Sequence, residues 1–382
     1  MNKGIWQKEE RMSEGNRIVV IGGGVAGMTA AICAARRGAT VHIIEREERL
    51  GRKILLTGNG KCNLGNISKI TDQYNTDFVK KIFSKYGMDV ILTFLKEIGI
   101  VTRITEGRIY PYSNEASTVQ NALREEIVKS GVKVILDKEV TSITERFLIN
   151  NKYICDKIVL ASGSPATIGQ DSTILFERFG HKKRPMKPAL VPLISDRYNL
   201  KGLKGVRVIA LAKLFSGEHK IAECLDEVMF KDYGISGTAI FNLSVILARR
   251  QSMEDSYVEL DLMPEYSLES VAEMVSSLNG INGLFHKELC NNIYRNAVFK
   301  DPIAIAKEIK QYRVNDVRLG PFNLAQIASG GLDTDSFDPI TLESKLCKGI
   351  FAAGEVLDVD GECGGYNLMW AFASGLAVGN AL

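Results

Sequence analysis

The chain has 382 residues, enough for two or three domains with a sizeable buried core, so a single small module is excluded. Hydrophobic residues make up 45% and charged residues 24%, which excludes a disordered, collagen-like or low-complexity chain. The 48 Lys and Arg against 45 Asp and Glu leave a formal charge of +3, too even a balance to imply a nucleic-acid or anionic-membrane partner.

Residues 1–16 are polar and of mixed charge; they predict a solvated tail and lack the apolar core of a signal peptide. No run of about 18 apolar residues follows, so no transmembrane helix is expected. Next comes Arg17-Ile-Val-Val-Ile21, a β-branched strand, then the turn Gly22-Gly-Gly24-Val-Ala-Gly27 and a helix over 28–37 that stops at Gly38. A second strand over 40–44 ends in Glu45, 21 residues beyond Gly24. Each part has a mechanical role in binding a dinucleotide. Gly22 makes the tight turn, Gly24 lets backbone approach a pyrophosphate, and Gly27 lets the helix pack closely on the strand. The helix N-terminus, with Val25 and Ala26, receives the phosphates, and Glu45 accepts hydrogen bonds from a ribose diol.

The loop Thr57-Gly-Asn-Gly-Lys-Cys-Asn63 is rich in backbone amides, and Arg52 or Lys53 before it adds positive charge. Amphipathic helices are predicted over 76–98 and 116–130, and strands over 132–136 and 157–161, the last ending at Ser162-Gly163. From 191 to 229 short β-rich runs alternate with glycine and charged turns, and 237–250 reads as a helix capped by Ser236. A mostly helical stretch spans 267–310, and 314–319 reads as a strand. Residues 349–353 predict a strand leading into Gly354-Glu355, and Gly364-Gly-Tyr-Asn367 opens an apolar helix to the C-terminus. A site for NAD alone needs no such second contribution. FAD is longer, its ring reaches a second strand end and a second helix start, and amides there stabilise the anionic edge of the reduced ring. No second G-x-G-x-x-G follows a strand, so NAD(P)H is expected only as a transient hydride donor.

Several blocks carry a family resemblance: Leu50-Gly-Arg-Lys-Ile-Leu-Leu-Thr-Gly-Asn-Gly-Lys-Cys-Asn63, Gly107-Arg-Ile-Tyr-Pro111, Tyr233-Gly-Ile-Ser-Gly237, Gln326-Ile-Ala-Ser-Gly-Gly331, and the run from Ala353 to Leu368 containing Cys-Gly-Gly-Tyr-Asn367. In this order, from about Arg17 to Leu382, the chain resembles the BaiN/YhiN-type NAD(P)/FAD-dependent oxidoreductases, also known as the aminoacetone oxidase family. The resemblance implies an α/β fold: a Rossmann-like FAD-binding domain (17–190 and 323–382) interrupted by a β-rich domain (191–239 and 308–322), which carries a helical insert (240–307). Three departures stand out. Ala161-Ser-Gly163 replaces the family's usual Ala-Thr-Gly, Asn59 stands for a glycine, and Lys61 stands for an arginine, whose bidentate contact lysine cannot make.

The expected contacts to non-covalent FAD are Gly22, Gly24, Val25, Ala26, Gly27, Glu45, Arg46, Arg52, Lys53, Thr57, Gly58, Gly60, Cys62, Asn63, Val140 through its backbone, Ala161, Ser162, Gly163, Gly354, Glu355, Gly364, Gly365, Tyr366 and Asn367. The flavin carries the chemistry, so side-chain catalysts reduce to weak candidates: Cys62, Asn63, Arg108 and Tyr366. A cysteine is more often a packing residue, and a tyrosine such as Tyr110 before proline more often core. The seven cysteines are odd in number, widely spaced and without a C-x-x-C pair, which points to reduced thiols in the cytoplasm and to neither a disulfide framework nor a zinc site. The four histidines form no cluster, and no metal is expected. The functional expectation is hydride transfer between a small organic substrate and flavin N5, with NAD(P)H or dioxygen as redox partner, in the direction of reducing an activated C=C bond. An aminoacetone-type amine oxidase releasing hydrogen peroxide, or a flavin-bearing accessory protein with little turnover, are the alternatives.

Overall fold

A computed structural model describes residues 16–67, 71–167, 169–195, 200–278, 280–299 and 301–382; of the tail expected over 1–16, residues 1–15 lie outside them. The chain divides into two compact units, one built from residues up to 186 together with Gly330–Leu382, the other from Lys187–Ser329.

The first unit is organised on a five-stranded parallel sheet. Its order is Ile350–Ala352, Lys157–Leu160, Arg17–Ile21, Thr40–Ile44, Lys133–Ile135. The central strand Arg17–Ile21 is apolar on both faces, with Ile18, Val19 and Val20 fully buried, as a parallel strand covered on both sides must be. In-register pairing runs Ile18↔Val41 on one side and Val19↔Ile158 on the other. Two helices pack closely on each other beside this sheet: Val25–Arg36, which follows the glycine turn, and the C-terminal Tyr366–Ala381. Their approach depends on glycine. A Cβ at Gly375 would lie 2.6 Å from the Ala26 carbonyl oxygen, and one at Gly379 would lie 2.5 Å from the Cys33 Cβ. Contacts that step from Ala26 to Ala30 on one helix and from Gly375 to Gly379 on the other mean the helices run parallel. The C-terminal helix begins nine residues before Gly375 and the motif helix one residue before Ala26, so the C-terminal helix projects beyond the other's start by roughly 12 Å at 1.5 Å per residue.

The expected helix over 76–98 is two helices, Val79–Lys85 and Met88–Glu97. Gly87 adopts extended backbone and ends the first. Small antiparallel elements complete the unit: Gly65–Asn66, Arg108–Pro111 and Thr102–Thr105 form one sheet, and Leu148–Ile149 pairs with Tyr153–Ile154.

The second unit holds a seven-stranded sheet in the order Tyr312–Val314, Ser256–Asp261, Arg207–Ser216, His219–Lys231, Gly234–Ser236, Leu193–Ile194, Arg318–Leu319. One face packs on helices, burying Ala210, Ala212, Leu214, Val258 and Leu260 against Ile240, Leu243, Val271, Ile293 and Ile305. Within the stretch 240–307, expected to be helical, Ser256–Asp261 is a strand paired with Arg207–Ser216, because Val258 and Leu260 fall at period two on the buried face. Thr238–Ala248 has Gly237 at its cap with no side-chain cap bond, so Ser236 belongs to the preceding strand and does not cap it. The single strand expected over 314–319 is two short ones that lie at opposite edges of the sheet.

Gly379→Val forces a branched side chain into the Cys33 contact, and overpacking of this kind costs about 1–3 kcal/mol. Urea unfolding of the two proteins should show that loss; equal midpoints would mean that the two helices can separate without penalty.

Candidate functional site

The carboxyl ends of the parallel strands gather the expected residues. Gly22 donates its amide to the Ile44 carbonyl at 2.9 Å, and a Cβ there would sit 2.5 Å from the Ala161 oxygen at the end of the neighbouring strand. A Cβ at Gly27 would collide with the Gly22 carbonyl. These two glycines are therefore demanded by the protein's own packing. Gly24 is different, since a Cβ there meets nothing within 4 Å. Nothing in the chain requires its smallness, and the amides around it begin the helix Val25–Arg36, whose first N–H groups have no partner within the helix. That is the opening a phosphate group fits. Gly23, which the motif leaves as any residue, is also constrained: Leu50 packs where its side chain would be, and its amide donates to Glu45 Oε2 at 2.6 Å.

Glu45 also accepts from the Glu47 amide at 3.0 Å. Its carboxylate thus ties the glycine turn to the end of the second strand, a structural role that the ribose reading did not include, while each oxygen retains a further lone pair. Arg46 and Arg52 both pair with Glu47, so their charge is committed to that carboxylate. Lys53 reaches across the sheet to Glu355 Oε2 at 3.0 Å, and this ion pair stands beside Gly163. Gly354 is clamped by the C-terminal helix. Its amide donates to Ser374 Oγ at 2.9 Å, and its carbonyl accepts from the Trp370 indole at 3.1 Å. Both anchors were missed by motif reading, although polar residues spaced i,i+4 in an otherwise apolar helix were the available signal. Ser162 carries a buried Oγ with no hydrogen-bond partner among the described residues.

The loop over 52–63 turns through left-handed backbone at Gly58, Asn59, Gly60 and Cys62, with φ of 55°, 53°, 83° and 58°. Asn59, which stands for a family glycine, fits because asparagine tolerates this region better than other side chains. Thr57 Oγ1 donates to the Ile54 carbonyl at 2.6 Å. Cys62 is fully buried, and burial pushes its thiol up to about 11, so it is a protonated packing residue and not a reactive thiolate.

At the C-terminal helix start, Gly364 and Gly365 have φ of 145° and 96°. A Cβ at Gly365 would lie 2.7 Å from Asn63 Oδ1 and 2.8 Å from Gly65, so this glycine is held first by protein neighbours. Tyr366 is buried, its ring packs edge-on to Tyr74, and its carbonyl accepts the Tyr74 hydroxyl at 2.7 Å. Asn367 spends its side chain on the backbone of Gly361, donating at 2.8 Å and accepting at 2.9 Å, so it shapes the loop and does not face outward. Val140 is buried between two backbone groups held by Asn150, the Glu139 carbonyl and the Thr141 amide. Arg108 lies on the strand Arg108–Pro111, paired with Asn66. None of the seven cysteines forms a disulfide. No helix among the described residues is long and apolar enough to cross a membrane.

A parallel sheet with a glycine turn at its centre, an acid at the end of the next strand and two offset helix starts defines a Rossmann-type flavin-dependent oxidoreductase. The model of the HI0933-like protein Rossmann domain matches residues 16–381, and the chain belongs to that family. It is 31% identical to the 3-dehydro-bile acid delta(4,6)-reductase of Clostridium scindens, over 96% of this chain and 98% of that protein. It is 26% identical to the ribosomal RNA dihydrouridine synthase of Haemophilus influenzae, again over 96% and 98%. Among solved structures, the 3-ketosteroid-delta4-(5alpha)-dehydrogenase from Rhodococcus jostii RHA1 aligns with a TM-score of 0.47 at 16% identity, covering 95% of this chain and 96% of that one.

Brief alkylation of the folded protein at pH 8, mapped by mass spectrometry, should leave Cys33, Cys62 and Cys155 unmodified. Burial holds Cys33 and Cys155 at about 12 and Cys62 at about 11. Labelling of Cys62 as fast as a free thiol would restore it as a redox candidate.

Proposed function

We propose that this protein is a FAD-dependent reductase of a carbon–carbon double bond conjugated to a carbonyl, acting on a small organic molecule with NAD(P)H as the hydride donor. The observation that carries this reading is shared chemistry in the relatives' names: a delta(4,6)-reductase of a 3-dehydro bile acid and a dihydrouridine synthase. Both names describe hydrogen added across a double bond that a neighbouring carbonyl polarises, on otherwise unrelated molecules. When bound, FAD supplies two-electron hydride chemistry at N5.

The chain's residues then have distinct tasks. Amides of Gly24, Val25 and Ala26 take the pyrophosphate at the motif helix start. Glu45, already oriented by the Gly23 and Glu47 amides, accepts from the ribose. The Lys53 and Glu355 pair, next to Ala161–Gly163, supplies a donor and an acceptor to the ribitol hydroxyls. The loop Thr57–Asn63 would line the ring edge. Amides at the start of Tyr366–Ala381 would stabilise negative charge on the reduced ring, and the helix already orients them, so that role would need no rearrangement. The offset of roughly 12 Å between the two helix starts supports a ligand with phosphates at one end and a ring system at the other.

Heating the purified yellow protein should release FAD into the supernatant. Under anaerobic conditions, the refilled protein should oxidise NAD(P)H in proportion to a cyclic enone supplied as acceptor. Peroxide formation from aminoacetone would favour the oxidase, reduction of uridine in RNA alone would move the substrate class to nucleic acid, and no turnover with any of them would leave an accessory flavoprotein.

Gly24→Ala and Gly27→Ala separate ligand from packing. Gly24→Ala should lose FAD affinity while costing the apoprotein under about 1 kcal/mol, the usual difference between Gly and Ala at a helix cap. Gly27→Ala should fail to accumulate as folded protein. Wild-type FAD affinity in Gly24→Ala would remove the pyrophosphate from this turn.

A further inference from the structure

Asn63 carries a side-chain oxygen that no described residue satisfies. Its Oδ1 is shielded from solvent and has no hydrogen-bond partner among the described residues. The backbone on both sides is fixed. Before it, the Lys61 amide closes on the Gly58 carbonyl and the Cys62 amide on the Thr57 carbonyl, each at 3.1 Å. After it, the Leu64 amide donates to the Ile109 carbonyl at 2.7 Å. Two non-glycine residues, Asn59 and Cys62, hold left-handed backbone in this turn, and such strain persists where the surroundings require one placement. The oxygen points to the second helix start, 2.7 Å from where a Gly365 side chain would begin. Glycine at 365 therefore keeps open the space into which Asn63 is directed.

A buried amide oxygen without a donor is costly, and a chain that keeps one at the edge of a ligand site leaves the donor to the ligand. The pyrimidine end of an oxidised flavin presents one N–H, the imide, between two carbonyls. The amides at the start of Tyr366–Ala381 suit a carbonyl and cannot serve the N–H beside it. We propose that Asn63 Oδ1 accepts the hydrogen bond of the flavin imide N–H, so that Asn63 and the helix start together recognise adjacent groups of the ring and fix its in-plane orientation. This rests on the flavin reading of the site and is independent of the substrate.

The test uses apoprotein refilled with FAD or with FAD methylated at the imide nitrogen, in wild type, Asn63→Ala and Asn63→Asp. Wild type should prefer FAD by more than about tenfold. Asn63→Ala should bind FAD about tenfold more weakly, as loss of one hydrogen bond implies, and should bind the two flavins equally. Its apoprotein should melt at or above the wild-type temperature, because the unsatisfied oxygen is gone. Asn63→Asp keeps an acceptor of the same shape and should keep the preference for FAD. A lower apoprotein melting temperature with unchanged FAD affinity would make Asn63 structural, and full discrimination persisting in Asn63→Ala would place the imide elsewhere. Apoprotein that takes up neither flavin would overturn the flavin reading itself, whereas the expected pattern without enone turnover would remove only the substrate assignment.

Discussion

The contact on which the site depends is the glycine seam between the helices Val25–Arg36 and Tyr366–Ala381. Gly375 and Gly379 let backbone meet the Ala26 and Ala30 turns directly, and no side chain larger than hydrogen fits. Because each helix runs back from the carboxyl edge of a parallel strand, packing them side by side brings both N-termini to one edge. The seam's register then sets how far one start stands beyond the other. Trp370 and Ser374, on the same C-terminal helix, carry this placement to Gly354 at the end of the outer strand. A single packing surface thus positions at once the two helix starts to which we assign the phosphates and the ring.

Electrostatics reinforces that geometry by consuming charges. Glu47 takes both Arg46 and Arg52, and Glu355 takes Lys53, so these three basic side chains are each committed to a carboxylate. What the site offers an anion is chiefly backbone amide, which needs no side-chain ordering when a ligand arrives. The half-buried Lys53 and Glu355 pair contributes modestly to stability, since solvent screening and side-chain ordering offset much of its attraction. Its larger effect is to hold two opposite polar groups in fixed places.

The glycine turn, the two flanking strands and the C-terminal helix were legible because each has a strong local signature: β-branched runs, obligatory glycines and a terminal acid. The parallel sheet follows from the same pattern. Less legible were features decided by tertiary contact. Gly23 carries no motif signal, and only the packed Leu50 explains it. Tyr366 and Asn367 sit in a block that resembles a binding motif, yet the Tyr366 ring packs edge-on to Tyr74 and the Asn367 amide bonds to the Gly361 backbone. The strand Ser256–Asp261 was lost among helices because six residues bounded by helical segments give too short a period-two signal. Ser236 shows the converse error, a good capping residue used by a strand instead.

The strand order has a consequence for biosynthesis. Lys157–Leu160 pairs on one side with Arg17–Ile21 and on the other with Ile350–Ala352. About 190 residues separate the two pairing partners in sequence, and at 5–20 residues per second the ribosome needs roughly 10–40 s to make them. During that interval the nascent sheet has one bare edge, the motif helix lacks its glycine seam, and the alanine face of Val25–Arg36 is uncovered. The glycine turn can form early, whereas its packing partner, the helix Tyr366–Ala381, is made only after the outer strand Ile350–Ala352. A product truncated before Tyr366–Ala381 would leave that alanine face uncovered, an apolar surface open to the cell's chaperones and proteases.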